Sequence, residues 1–186
     1  RALVLERAAH HLEVKRSDLI VAARPTGIDF SDADRDVTTA VDFARYYAAT
    51  VRELDAVSGA IFVPAGITLV AGSAADLIAS AAEGILASLA AGGAVIVVAQ
   101  PHEHAVIDLL AQALWQAGVP QDALCVATGT MAEAVTEATV DSVLMTGTTR
   151  DVHDVGADAT LVNARVHGVN TVIVAPSADI DEAAAA

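Results

Sequence analysis

The sequence predicts an α/β fold: a doubly wound, mostly parallel sheet with flanking helices. Residues 67–98 carry the main signal, because two short apolar, β-branched runs (67–70 and 94–99) flank an alanine- and leucine-rich stretch of helical length (74–91) that Gly92-Gly93 ends. Such a βαβ crossover makes its two strands parallel and covers both faces of the sheet. Short apolar runs keep alternating with helical stretches downstream. A hydrophobic content of 54% with only 3% aromatic residues also suits close packing of helices on a sheet.

Residues 1–57 are predicted to be an N-terminal helical segment that packs on residues 58–186, a Rossmann-like domain of cofactor-binding type. Apolar residues recur at helical spacing up to Leu12, and Ser17 can cap a second helix that ends before Gly27. A third helix begins at Ser31. Its acidic first turn suits the helix dipole, and its aspartates, Asp36 included, are interpreted as a solvated surface.

The remaining elements follow from apolar runs and breakers in order. After an extended piece at 58–64, further strands are predicted at 124–127, 142–145, 160–166 and 170–174. Helices are predicted from the His102-Glu103-His104 turn to Ala117, at 131–138, and from Ser177 onward.

Composition excludes several function classes. The formal net charge is −14, with 24 acidic and 10 basic residues and no basic cluster, which argues against binding nucleic acid or anionic membranes. No apolar stretch predicts a membrane span, and the N-terminus lacks a signal-peptide layout, so a cytoplasmic location is expected. The single cysteine, Cys125, lies in an apolar run and is predicted to be a buried, inert thiol.

Candidate binding positions lie where the strands end, because ligands of such sheets bind at the carboxyl ends of the strands. The glycine- and threonine-containing turns at 128–130 and 146–149 suit either phosphate binding or simple helix capping, and no G-x-G-x-x-G or P-loop is present. His102 and His104 flank Glu103, but their spacing favours solvated loop histidines over a metal site. Asp76 and Glu83, seven residues apart, are interpreted as a solvent-facing acidic pair.

Six segments in order give the chain a specific resemblance to a known family. They are AVDFARYYA (40–48), PAGITLV (64–70), LASLAAGGAV (86–95), QAGVPQDAL (116–124), VDSVLMTGTT (140–149) and VAPSADID (174–181). Together they resemble the aldehyde dehydrogenase superfamily, most closely the 1-pyrroline-5-carboxylate (glutamate-semialdehyde) dehydrogenases of proline catabolism and the matching module of PutA proteins. The resemblance covers the family's N-terminal helices and NAD-binding domain. The domain that carries the nucleophilic cysteine would begin beyond residue 186.

The resemblance implies a set of cofactor-binding positions. Thr146, Gly147 and Thr148 resemble the family's Thr-Gly-Ser pyrophosphate turn, although the second glycine of that pattern falls at Val152. One alignment places Gln100 where the family has its adenine-ribose lysine and makes Glu103 the ribose-binding glutamate; the ungapped alignment places Val98 there instead. Since Lys15 is the only lysine of the chain, the lysine contact is missing in both alignments.

Two departures concern catalysis. Ala75 stands where the resemblance implies the asparagine that donates to the oxyanion, and the loss of one such donor costs roughly 3 kcal/mol. Arg165 stands in the place of the general-base glutamate, and a guanidinium cannot accept the proton. The resemblance therefore assigns no catalytic residue to this chain.

These departures predict a degenerate aldehyde-dehydrogenase-like domain with a structural or assembly role, in which NAD binding is weakened or lost and no metal is held. Its expected context is a homo-oligomer or a larger host polypeptide. The alternative is the cofactor-binding half of an NAD-dependent dehydrogenase whose catalytic domain is missing from this chain. A nucleotide-sensing module, based on residues 146–149 alone, is a third possibility.

Overall fold

The computed structural model describes residues 1–54, 56–64, 66–137, 139–155, 161–166 and Ala175. The chain begins with three helices, as predicted: α1 (Ala2–Val14), α2 (Arg16–Ala23) and α3 (Phe30–Leu54). Helix α2 starts one residue before Ser17, so that serine lies inside the helix and does not cap it. A single 3₁₀ turn and Gly27, in the left-handed conformation, separate α2 from α3.

Within the described residues, five parallel strands form one sheet. They are β1 (Ile67–Ala71), β2 (Ala94–Ala99), β3 (Leu124–Thr128), β4 (Ser142–Thr146) and β5 (Leu161–Arg165), in the order β3-β2-β1-β4-β5. The chain moves outward from β1 to β3 and then returns to the other side of β1, which is the doubly wound arrangement. The predicted fold class is thereby confirmed.

Four helices connect the strands: α4 (Leu77–Ala91), α5 (His104–Ala117), α6 (Met131–Glu137) and α7 (Thr149–Val155). Helix α4 begins three residues later than predicted, because the Gly72–Asp76 stretch first makes a turn. Residues 58–64 form no strand with the described residues, and α7 was not predicted. The strand predicted at 170–174 and the helix from Ser177 lie outside the described residues.

The two faces of the sheet carry separate cores. On one face α4 and α5 pack on alternate strand residues such as Val70 and Val97, and α1–α3 cover these two helices as a further layer. On the other face Leu69, Val98 and Val143 meet α6 and α7. None of the helices within the described part of the chain is both long enough and apolar enough to cross a membrane.

The edge position of β3 overturns the prediction for Cys125. The thiol is exposed, not buried. Leu124 and Val126 face the α5 side, and Trp115 of that helix donates from its indole N–H to the Leu124 carbonyl at 3.1 Å. Cys125 therefore points to the opposite face, where an edge strand has a neighbour on one side only.

Gly84 lets α4 lie unusually close to β1. A Cβ at this position would come within 2.7 Å of a methyl group of Val70, and both residues are buried. Real Cβ atoms do not approach so closely, and Val70 has little freedom to move because its β-branched side chain is fixed in a strand. The distance between α4 and the sheet therefore depends on the missing side chain.

We expect Gly84→Ala to lower the free energy of unfolding. Alanine gains about 1 kcal/mol over glycine in a helix with free space, but overpacking a buried contact costs about 1–3 kcal/mol. Urea unfolding should show a net loss of roughly 1 kcal/mol, and Val70→Ala should recover part of it in the double variant, compared with Val70→Ala alone. Stabilisation by Gly84→Ala would contradict the close approach.

Candidate functional site

A cleft opens at the carboxyl ends of the strands, where the strand order reverses between β1 and β4. This strand-end cleft has a volume of about 760 Å³ and is lined by residues 71–75, 129–132 and 145–148 with parts of the β2–α5 connection. The structure brings together at its wall all five residues expected to bind a cofactor: Gln100, Glu103, Thr146, Gly147 and Thr148. Position and size suit a dinucleotide, which binds at this switch point in doubly wound sheets.

Two backbone N–H groups at the cleft donate hydrogen bonds to carboxylates of the chain itself. Gln100 donates its backbone N–H to Oε2 of Glu103 at 2.9 Å, and Glu103 is only 7% exposed. Thr130 donates both its backbone N–H and its hydroxyl to Oε2 of Glu133 at 2.8 Å. These hydrogen bonds, led by the backbone N–H, lower the pKa of Glu133. The two turns thus present bound carboxylates where an anion would need free donors.

Other N–H groups around the cleft also have partners. Gly129 donates to the carbonyl of Ala99, and Gly147 donates to the carbonyl of Arg165, each a backbone contact that extends the sheet. The N–H of Ser73 donates to the hydroxyl of Ser80 at 2.8 Å. These donors would have to exchange partners before they could bind phosphate.

The described lining of the strand-end cleft contains no cationic side chain. No lysine, arginine or histidine is found among its described lining residues, whereas Glu103 is one of them. A pyrophosphate carries two negative charges and needs cations or free N–H donors in a partly desolvated site. Glu103 is the one ionisable side chain among the described lining residues, and a carboxylate repels a pyrophosphate.

The carboxylate of Asp36 caps the N-terminus of α4. The prediction that Asp36 belongs to a solvated surface is therefore wrong. Its helical phase places it with Ala33 and Val37 on the core face of α3, where it is 6% exposed. Oδ2 accepts a hydrogen bond from the backbone N–H of Ile78 at 3.0 Å. The residue in the N-cap position, Asp76, makes no capping hydrogen bond with its side chain. The carboxylate at the start of this helix therefore comes from α3.

Burial raises the pKa of Asp36 to about 6. The N–H groups of Ile78 and Ala79 lower it, while the charges of Asp76 and Asp32 raise it further. Oδ1 of Asp76 is itself buried and has no hydrogen-bond partner among the described residues. Two carboxyl groups thus share the start of α4.

A second, smaller pocket of about 200 Å³ adjoins the cleft on the α4 side of the sheet. This Arg165 pocket is lined by Tyr47, Glu83 and Arg165 among others, and it shares the ends of β1 and β4 with the cleft. Arg165 donates from both terminal nitrogens to the two oxygens of Glu83, each at 2.7 Å. The Glu83 side chain is only 21% exposed, so its interpretation as solvent-facing is wrong.

The contact with Glu83 stabilises the charged form of Arg165. Hydrogen bonding to Glu83 and the charge of Glu83 raise the pKa of Arg165, which stays a cation. Burial, followed by the charge of Glu83, raises the pKa of Tyr47, whose phenol therefore keeps its proton at neutral pH. The position that the resemblance assigns to a general base holds a group that cannot accept a proton.

The position expected to supply an oxyanion donor carries none. Ala75 is exposed at the lip of the strand-end cleft, and its backbone N–H donates to the hydroxyl of Ser73 at 3.2 Å. His102 is half exposed, with Nε2 at 3.8 Å from Oε1 of Glu103. In the described ranges no three histidine, cysteine, aspartate or glutamate residues are grouped so that they could hold a metal ion.

Comparison with known proteins gives one family. All 186 residues match the profile described as the aldehyde dehydrogenase family. No curated protein matches the chain significantly.

Among solved structures, the chain is similar to proline utilization A (PutA) from Corynebacterium freiburgense, with 32% identity, a TM-score of 0.86, and coverage of 100% of this chain and 20% of that one. A PutA variant from Bradyrhizobium japonicum gives 26% identity, a TM-score of 0.80, and coverage of 91% and 20%. An NAD-dependent aldehyde dehydrogenase from Sinorhizobium meliloti, 17% identical with a TM-score of 0.76 over 90% of this chain and 37% of that one, shares the fold. The chain thus spans about a fifth of the PutA chains it matches.

Asp36 gives the domain a testable pH dependence. Because its pKa is raised in the folded state, the folded protein binds more protons between about pH 4 and pH 6, and stability should fall as the pH rises through this range. The loss should be roughly 3 kcal/mol and complete above about pH 7. In Asp36→Asn, which keeps an acceptor for Ile78, thermal unfolding should lose this slope. The exposed Asp42→Asn is the control; an unchanged slope in Asp36→Asn would refute the assignment.

Proposed function

Because this chain belongs to the aldehyde dehydrogenase family, we propose that it is a non-catalytic cofactor-type domain of a PutA-like protein of proline and glutamate-semialdehyde metabolism. In this proposal the domain has a structural or assembly role, and NAD binding is weakened or lost. The similarity to PutA chains, of which it spans about a fifth, supports a place within a larger polypeptide. A homo-oligomer is the other context that we propose.

The observation that carries the proposal is the ion pair of Arg165 with Glu83. A general base must accept a proton, and the guanidinium at this position is held as a cation by two hydrogen bonds of 2.7 Å. Chemistry that needs a carboxylate here cannot proceed with these residues.

Ala75 and the strand-end cleft support the same proposal independently. The methyl group of Ala75 cannot stabilise an oxyanion, and the cleft offers no cation among its described residues while two glutamates hold its turns. One substitution alone could reflect adaptation to another substrate. Together these features affect proton transfer, oxyanion binding and cofactor binding.

Two further parts of the proposal concern organisation. We take residues 1–57 as a helical segment that packs on residues 58–186, in line with the shared core of α1–α3 with α4 and α5. We also propose a cytoplasmic location, with which a single free cysteine is compatible.

The second candidate is the cofactor-binding half of an NAD-dependent 1-pyrroline-5-carboxylate dehydrogenase. Its support is the strand-end cleft, which is large enough for a dinucleotide and is lined by all five residues expected to bind one. In this reading Thr148 and Glu103 would suffice for binding without the lysine, and the nucleophile would come from outside the chain.

Calorimetric titration with NAD, with NADP for comparison, separates the two candidates. We expect a Kd weaker than about 1 mM, which corresponds to less than about 4 kcal/mol of binding free energy. A Kd in the micromolar range would refute loss of the cofactor and favour the dehydrogenase half.

A gain-of-function variant tests the reason for the loss. Gln100→Lys adds a cation to the cleft, and we expect it to raise NAD affinity by about tenfold, or about 1.4 kcal/mol. Gln116→Lys, which adds the same charge to the exposed end of α5, should leave the affinity unchanged. An equal gain in both variants would show a general charge effect and contradict the role given to the cleft.

A further inference from the structure

We propose that the strand-end cleft binds an organic cation, a small free amine that carries an ammonium group on an apolar body. This inference rests on the proposed loss of NAD binding and goes beyond it, because it states which charge the cleft accepts instead. Two observations carry it: a carboxylate is buried in the wall of the cleft, and the described lining offers that carboxylate no cationic partner.

Glu103 supplies this carboxylate. Its side chain lines the cleft but is only 9% exposed. Oε2 accepts the backbone N–H of Gln100 at 2.9 Å, whereas Oε1 accepts no hydrogen bond from the described residues. The basic group that Oε1 approaches is Nε2 of the half-exposed His102, at 3.8 Å, which is beyond hydrogen-bonding distance. One oxygen of a largely buried carboxylate can therefore accept a donor from a ligand.

A carboxylate in this situation favours a cationic ligand. The removal of a charged group from water is costly unless donors or an opposite charge replace the water, and the N–H of Gln100 replaces only part of it. An ammonium group at Oε1 would supply both a donor and the opposite charge. A neutral alcohol would supply only the donor, and an anion would be repelled. The nearby capping carboxylates of Asp36 and Glu133 have the same sign as Glu103 and add to this preference.

The rest of the wall suits the body of such an amine. The volume of about 760 Å³ lies in the range of sites that enclose a whole small molecule. Val98, Met131 and Met145 give the wall an apolar part, and the unbranched methionine side chains can adapt to the shape of a ligand. Ser73 and Thr146 add only neutral polar groups. An aliphatic chain can therefore be accommodated, while the charge of its head group decides the affinity.

A matched series of probes tests the sign of the charge. Hexylammonium, 1-hexanol and hexanoate share one aliphatic chain and differ in the charge of the head group. Calorimetric titration of the whole chain near neutral pH, in about 0.15 M salt, limits the general attraction of cations by the net charge of −14. We expect hexylammonium to bind with a Kd on the order of 1 mM, about tenfold or more tighter than hexanol or hexanoate. Equal binding of hexanol would show an apolar site without charge selection. Either that result or no binding of hexylammonium at about 20 mM would overturn the proposal.

Variants locate the binding. Glu103→Gln keeps an acceptor for the N–H of Gln100 but removes the charge, and it should weaken hexylammonium binding by about tenfold or more. Gln100→Lys, which adds a cation to the cleft, should weaken it similarly and serves as the second test if Glu103→Gln does not fold. Glu53→Gln removes the same charge from the exposed end of α3 and should leave binding unchanged. Thermal unfolding checks that each variant is folded. Unchanged affinity in folded Glu103→Gln or in Gln100→Lys would overturn the assignment.

The NAD titration keeps this inference separate from the proposed function. If neither NAD nor hexylammonium binds, the amine site is refuted and the loss of the cofactor stands. If NAD binds in the micromolar range, the proposed function fails, and the premise of the amine site fails with it. Binding of hexylammonium without NAD supports both proposals.

Discussion

The close contact between α4 and β1 is the constraint on which the site depends. The absent side chain of Gly84 lets the helix lie against Val70, and the preceding residue, Glu83, is thereby held beside the ends of β4 and β5. The same helix receives the carboxylate of Asp36 at its first turn and so ties α3 to the sheet. The distance between α4 and the sheet, the cap by Asp36 and the ion pair of Glu83 thus all depend on the position of α4.

A common theme of the site is that the protein supplies its own anions. The carboxylate of Asp36, from α3, lies at the start of α4. Glu103 lies at the start of α5, and Glu133 lies in the first turn of α6. Parallel α/β sheets collect helix N-termini at one edge, where backbone N–H groups would otherwise bind a ligand phosphate. Here these donors bind carboxylates of the chain itself, which leaves an excess of negative charge beside the cleft.

Much of the fold could be predicted from local patterns, because β-branched runs, glycines and prolines act on their own segments. Strands β1 to β5 and most helix bounds follow from such signals. The Thr130–Glu133 contact agrees with the capping alternative given for residues 128–130, and its Thr-x-x-Glu spacing before a helix also indicates the part of Glu133, which was not predicted. The prediction for Asp36 was wrong because it treated this residue like the exposed acidic residues near the start of α3, although its phase with Ala33 and Val37 indicates burial.

Other features could not come from the sequence alone. The partner of Glu83 lies 82 residues away on β5, and the exposure of Cys125 depends on β3 being the edge strand, which only the strand order reveals. Local spacing carries no information about either. The five cofactor-type positions were located by resemblance, and the structure adds the charges and hydrogen bonds around them.

The Arg165–Glu83 contact also couples two distant positions of the sequence. A glutamate at position 165 would place two carboxylates across one small pocket, and one of them would have to hold a proton or move away. A base at position 165 would thus need at least one compensating change, at position 83 or near it. Substitutions at these two positions are therefore expected to be non-additive, so the effect of each depends on the residue at the other.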